Sequence, residues 1–179
     1  MRIQHLTEKD YKVGLWSGGS TTELFIWPQN ANYATREFAF RVSSARVDLP
    51  ESDFTPLMGV TRYITPLTGG FTLSHPDGSG ITMGPMATPY RFSGEMPTHC
   101  VGCATDFNLM LKGVEGRMAL CQASWQLQPG FNCLYATNAT QVHLATGYSL
   151  QAGDLLVVFA EEAIAVAISA EGLTCWAEI

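Results

Sequence analysis

The chain is poor in charge. Its 179 residues carry 26 charged side chains, 15% of the total, against about a quarter in an ordinary globular domain. Lysine is scarcest, with three against seven arginines and 16 acidic residues. The formal net charge of −6 lacks the basic footprint that nucleic-acid binding requires. Disorder is excluded as well, because 46% of the residues are hydrophobic and a disordered chain is charge-rich and apolar-poor. The Glu, Lys and Ala richness of coiled coils and ordinary helical bundles is missing. Apolar runs are short: Leu155–Ala160 and Ala163–Ser169 are divided by Glu161-Glu162, and neither nears the ~20 residues of a membrane helix. The first ten residues hold no apolar signal core, so no secretion signal and no membrane partner are expected. Five cysteines, at 100, 103, 121, 133 and 175, make an odd count without framework spacing. Free thiols in a cytoplasmic protein are the simplest reading.

Helical periodicity is also nearly absent. Short runs rich in Val, Ile, Thr, Tyr and Phe take its place, separated by Gly, Pro, Asn and Asp. They predict strands over 23–27, 37–47, 61–66, 70–74, 80–83, 90–92, 107–112, 117–122, 132–136, 141–144, 148–150, 154–159, 163–169 and 173–178. His75-Pro76-Asp77-Gly78, Gln128-Pro129-Gly130 and Ala152-Gly153-Asp154 are turn signals, and Leu49–Phe54 reads as one short helical turn. Many short strands at regular spacing mean a sandwich or a barrel. A weak repeat is visible: Leu73, Gly78, Ile81 and Gly84 precede Val142, Gly147, Leu150 and Gly153 by 69 residues. It is either a duplication, giving two related small barrels, or the coincidence of turn glycines.

The usual catalytic signatures are missing. His5, His75, His99 and His143 show neither His-x-His nor His-x-x-x-His spacing, so no converging metal site is expected. Cys100-Val101-Gly102-Cys103 could grip a zinc ion, but no second such pair closes the site. It follows Pro97-Thr98 rather than opening a helix after a strand, which argues against a redox pair and for ordinary residues on a β segment. No Gly-x-Ser-x-Gly elbow occurs. Ser17-Gly18-Gly19-Ser20 could offer N–H groups to an anion but lacks a phosphate loop's lysine, and reads as a plain turn.

The charges inside strands are more telling. Along Glu37–Val47, period 2 puts Phe38, Phe40 and Val42 on one face and Ala39, Arg41, Ser43 and Ala45 on the other. Small residues beside one arginine suit a concave, ligand-facing wall. Likewise Phe107, Leu109 and Leu111 oppose Asp106, Asn108 and Met110, and Arg62 sits between Val60 and Ile64. An arginine's planar fork of donors matches a carboxylate. That carboxylate is either a ligand's or that of Asp106, in a pair that ties strands together.

An ordered set of segments resembles the HutD/Ves family of cupin-like proteins. It runs from Trp16, Gly18-Gly19 and Thr21-Thr22-Glu23-Leu24 through Phe40–Val47 and Phe54–Arg62. Leu67-Thr68-Gly69-Gly70 and Phe92-Ser93-Gly94-Glu95 follow, then Asp106-Phe107-Asn108-Leu109-Met110. There are departures: the interval from Trp16 to Glu23 is shorter than usual, Thr22 replaces an arginine, and Leu111-Lys112 stands where paired arginines are common. The resemblance implies a bacterial, cytoplasmic, cupin-like double barrel (a bicupin) without the cupin metal ligands. One branch of that family is associated with histidine utilisation and a small carboxylate intermediate, the other with cold or stress response.

These readings give an all-β, double-barrel unit with halves at 1–115 and 116–179. Its expected role is metal-free and cofactor-free binding of a small anionic metabolite, regulatory or sensing rather than catalytic. The candidate ligand-binding set is Trp16, Glu23, Arg41, Ser43, Arg62, Phe92, Asp106 and Asn108. Arg41 and Arg62 would grip a carboxylate, Ser43, Asp106 and Asn108 would orient it, and Trp16 and Phe92 would supply apolar walls. The alternative is a metal-independent isomerase or hydrolase with Glu23 or Asp106 as base. A purely structural role, with homodimerisation, is the third possibility.

Overall fold

The alternation in the sequence becomes antiparallel pairing throughout. A computed structural model describes all 179 residues. In chain order its strands are β1 (Arg2–Leu6), β2 (Lys12–Trp16), β3 (Gly19–Trp27), β4 (Phe40–Val47), β5 (Glu51–Phe54), β6 (Val60–Gly69), β7 (Phe71–Ser74), β8 (Gly80–Met83), β9 (Tyr90–Ser93) and β10 (Thr98–Val101). They continue as β11 (Ala104–Lys112), β12 (Gly116–Cys121), β13 (Ser124–Leu127), β14 (Gly130–Ala136), β15 (Thr140–Val142), β16 (Tyr148–Leu150), β17 (Leu155–Ala160), β18 (Ile164–Ala167) and β19 (Gly172–Ala177). Helix is confined to two three-residue 3-10 turns, Glu8–Asp10 and Tyr33–Thr35. No helix is long and apolar enough to cross a membrane.

The strands divide into two units. One comprises residues 1–11 and 114–179, the other residues 12–113. The first eleven residues therefore group with the C-terminal part rather than with the N-terminal half. The reason is strand pairing: β1 adds to β17, with Ile3 opposite Val158. His5 Nε2 lies 2.8 Å from Asp154 Oδ2, and the Tyr11 hydroxyl donates to the Gly153 carbonyl at 2.8 Å. This unit has a five-stranded sheet, β1-β17-β14-β19-β12, and two two-stranded pairs, β13-β18 and the hairpin β15-β16. Trp125, Leu127, Leu134, Leu150, Leu156 and Val158 form its core.

The other unit carries a six-stranded sheet, β2-β3-β4-β11-β6-β9, and a four-stranded one, β5-β10-β7-β8. No sheet closes on itself; each ends on two different edge strands. The segment read as a helical turn is strand β5. Its Ser52 and Cys100 lie opposite each other in the pairing with β10, and an available partner edge overrides weak local preference. Both copies of the sequence repeat fold as strand pairs, one in each unit. Their registers differ by two residues: Leu73 faces Ile81, whereas Val142 faces Tyr148 and not Leu150.

Directly opposed residues share a sheet face, so the register defines one wall. Arg41 is opposite Met110, Ser43 opposite Asn108 and Ala45 opposite Asp106. On the far side of β11, Arg62 is also opposite Met110. Two bulges adjust the neighbours. In β3, Glu23 is opposite Ser43 but Phe25 is opposite Val42, leaving Leu24 as the extra residue. In β6 the slip lies between Thr68 and Pro66, and proline is tolerated at such irregularities. Phe40, Val42, Phe107 and Leu109, on the opposite face of the sheet, are completely buried.

The turn from β2 to β3 needs its glycines. A Cβ on Gly18 would fall 1.9 Å from the Trp16 ring, and one on Gly19 would fall 1.8 Å from the Arg46 carbonyl oxygen. Gly19 also has φ +153°, a conformation L side chains rarely adopt. Gly19→Ala is expected to cost more than about 1 kcal/mol. Gly14→Ala, with nothing within 4 Å of the added methyl, should stay within about 0.5 kcal/mol of the parent. Urea unfolding of both variants checks the contrast.

Candidate functional site

The wall just described bounds a cavity of about 930 Å³, at the upper end of the ~300–1,000 Å³ range of small-molecule sites. Trp16, Glu23, Arg41, Ser43, Arg62, Asp106 and Asn108 all line it. Phe92 does not. It is buried in a core cluster with Ile64, Phe71 and Leu73; opposite Arg62 on β9 it shares that residue's face, its ring centre 5.2 Å from the guanidinium carbon.

Both strand arginines are buried, Arg41 at 5% and Arg62 at 7% exposure. Their partners differ. Arg41 Nε donates to Glu23 Oε2 at 2.8 Å, and one terminal nitrogen donates to Ser43 Oγ at 3.1 Å. Its guanidinium carbon lies 4.0 Å from the Tyr33 ring centre, a cation–π contact. Arg36 makes a similar contact with the same ring at 3.9 Å. Arg62 has no carboxylate within ion-pairing distance. One terminal nitrogen donates to Asn108 Oδ1 at 3.2 Å, and its face rests on Phe54 at 4.8 Å. Arg62 Nε and Ser52 Oγ, both buried, have no hydrogen-bond partner in the protein. Buried polar atoms are normally satisfied, so these two are unmet hydrogen-bonding groups on residues that line the cavity.

Asn108 links the second arginine to Asp106. Its side-chain amide donates a hydrogen bond to Asp106 Oδ1. Asp106 is 1% exposed, and burial raises its carboxyl to about 7, against opposing pulls from Arg62 and the Ala45 N–H. Burial also lowers the Arg62 guanidinium from its ordinary value. The wall thus sets two arginines against Glu23, which is paired with Arg41, and against Asp106, whose carboxyl burial has raised to about 7. An anion is the complement of that charge distribution.

Several lining residues carried no sequence signal. Tyr33 and Asn32 arrive on the 28–39 connection, Ser52 and Phe54 on β5. The Asn32 side chain accepts from the Ala34 N–H and fixes the 3-10 turn that presents Tyr33. Asparagine two residues before a turn N–H is a recognisable local motif, but nothing in it foretells a ring against Arg41. Elsewhere, Cys100 is buried and Cys103 exposed, and His99 pairs with Asp53 at the surface, 2.8 Å away. No three His, Cys, Asp or Glu side chains converge on a point that could hold a metal ion.

The HutD family model matches residues 8–176. The chain belongs to the HutD family. It is similar over its whole length to HutD from Pseudomonas fluorescens SBW25, whose structure carries the description "Formate condition". The identity is 21%, with 99% of this chain and 98% of that one covered and a TM-score of 0.84. The conserved protein of unknown function PA5104 from Pseudomonas aeruginosa PAO1 is alike to the same degree, at 22% identity, 99% and 98% coverage and a TM-score of 0.84. The Escherichia coli pirin YhhW, in complex with nickel(II), matches at 9% identity, 99% coverage of both chains and a TM-score of 0.65. At these identities the structural likenesses establish a shared cupin-like, all-β fold. Among curated proteins, none matches this HutD-family sequence.

Proposed function

We propose that this HutD-family chain binds a small anionic metabolite, a carboxylate, and acts in regulation or metabolic sensing. One observation carries the reading: Arg62 is buried in the cavity wall with Nε unpartnered and no carboxylate paired to it, beside a second buried arginine on the same face. Desolvating a guanidinium without a full set of acceptors is costly, and a ligand carboxylate supplies two in the geometry of the fork. Glu23, Ser43 and Tyr33 hold Arg41 in place, and Asn108 does the same for Arg62. Trp16 and Phe54 offer apolar surface. A strand-tying role for the charges is less well supported, because Arg62 bonds to Asn108 rather than to Asp106 and a cavity lies beside them. Titration calorimetry against small mono- and dicarboxylates, including intermediates of histidine breakdown, tests the proposal. Saturable binding is expected, and its absence across the panel overturns the reading.

A second reading has one observation in its favour. A carboxyl held near 7 inside a cavity is poised for general acid–base chemistry, which makes Asp106 a stronger candidate base than Glu23, whose carboxylate is engaged by Arg41. NMR in D₂O would reveal such an isomerase or hydrolase through hydron exchange or turnover of a bound carboxylate. The two-unit build and the paired hairpins support descent from a doubled cupin-like barrel. Free cysteines throughout support a reducing, cytoplasmic setting. A homodimer is the assembly we infer from so lightly charged a chain, and sedimentation measures it.

A further inference from the structure

We propose that the cavity takes up its anion together with one proton, carried by Asp106, so that Asp106 meets the ligand as a neutral acid. This rests on the anion-binding reading above and states how that site is regulated. The geometry carries it. Asp106 lines the cavity wall, yet no cation lies within ion-pairing distance of it; its side chain reaches Arg62 only through Asn108. The carboxyl accepts from the Asn108 amide and is approached by the Ala45 N–H; both are donors, so a proton held by the acid is directed to an acceptor outside them, a ligand oxygen in the cavity.

The surrounding charges point the same way. The titratable and charged groups about Asp106 are Arg62 on β6, Arg41 on β4, Glu23 on β3 and Cys100 on β10, with Tyr33 on the connection that covers Arg41. Arg41 is already neutralised by Glu23. Arg62 is the cation that favours the ionised form of Asp106. An anion bound to Arg62 cancels that influence and adds a negative charge beside the carboxyl. Both effects favour the protonated form. By linkage, the protonated form must in turn favour the anion. In its ionised form Asp106 competes for the field of Arg62 and repels the ligand. Its carboxyl titrates near pH 7 in the unliganded protein, so the exchange falls in the range where cells operate.

Formate and fumarate serve as probes, because both are fully ionised above about pH 6 and contribute no proton of their own. The association constant of the intact protein is expected to fall about tenfold from pH 6 to pH 8, at most tenfold per pH unit for one linked proton. Calorimetry at pH 7 in two buffers that differ in ionisation enthalpy, neither a carboxylate nor a phosphate, should show proton uptake on binding. Asp106→Asn, which keeps a neutral polar group of the same shape, should bind at pH 8 as tightly as the parent does at pH 6. Its affinity should no longer vary with pH. The two-buffer measurement needs no variant and stands if Asp106→Asn fails to fold. Binding with equal enthalpy in both buffers and a pH-independent constant overturns the proton coupling and leaves the anion site intact. Failure of both probes to bind at every pH overturns the site itself, and the coupling with it.

Discussion

Exchanging Arg62 for methionine is expected to lower carboxylate affinity by roughly a hundredfold, the usual consequence of truncating one side of a desolvated charge pair, and to leave folding stability within about 1 kcal/mol of the parent. The two halves of that expectation come from one fact. Arg62 is buried at 7% exposure with no carboxylate partner and an unpartnered Nε. The fold therefore bears the cost of desolvating a cation and gains few hydrogen bonds in return. Methionine fills a similar volume, packs against Phe54 and Phe92, and carries no charge to desolvate. The loss is one hydrogen bond to Asn108, worth about 1 kcal/mol. Urea unfolding and titration calorimetry on the same preparation separate the outcomes. Unchanged affinity with a loss of several kcal/mol would identify Arg62 as a strut between strands and not a ligand contact.

Arg41→Ala should damage both quantities. Here the fold does depend on the guanidinium, because it neutralises Glu23, bonds Ser43 and packs on Tyr33. Glu23 is only 15% exposed, and leaving a buried carboxylate unpaired costs about 3 kcal/mol. The loss of affinity should match that of the Arg62 variant, since either arginine supplies half of the clamp. A second substitution separates the two effects. Glu23→Gln on the Arg41→Ala background removes the orphaned charge and should recover much of the stability but none of the affinity. If stability returns and binding returns with it, the carboxylate site lies elsewhere.

The readable part of this site is the part built on unbroken period-2 strands. Phe40 and Val42 separate from Arg41, Ser43 and Ala45 as the alternation predicts because β4 runs without a bulge, whereas Phe38, ahead of that strand, packs with Ile26 and Met110 on the side of Arg41. Asp106, Asn108 and Met110 follow the alternation as β4 does. The apolar character of Phe92 suits a cavity wall, and its pairing does put it on the face of Arg62, but there it is covered by the core cluster of Ile64, Phe71 and Leu73 and does not reach the cavity. Strand β2 gave no signal: Val13 and Leu15 are exposed, at 68% and 87%, so no buried face imposes an alternation. Strand β1 was hidden for a different reason. Its partner, β17, lies some 150 residues away, and nothing local to Arg2–Leu6 specifies so distant a pairing. Tyr33 shows the limit for loops, since its role depends on where an irregular segment lays it down. The low charge count was informative because the alternation singled out Arg41, Arg62 and Asp106, which are the buried charges of the strands, whereas Arg46, Glu51 and Asp53 lie on strands at the surface.

The extra residue in β3 acts on this site as a reading frame. On the N-terminal side of Leu24 the odd positions, Thr21 and Glu23, belong to the cavity face. On the C-terminal side the even position Ile26 takes over, opposite Arg41. The strand is thus two phases of one pleat spliced at a single residue. Deleting Leu24 would splice the two phases without turning any side chain: Glu23, Phe25 and Ile26 would alternate as an ordinary strand opposite Ser43, Val42 and Arg41, and only the local kink and the Leu24 side chain would be lost.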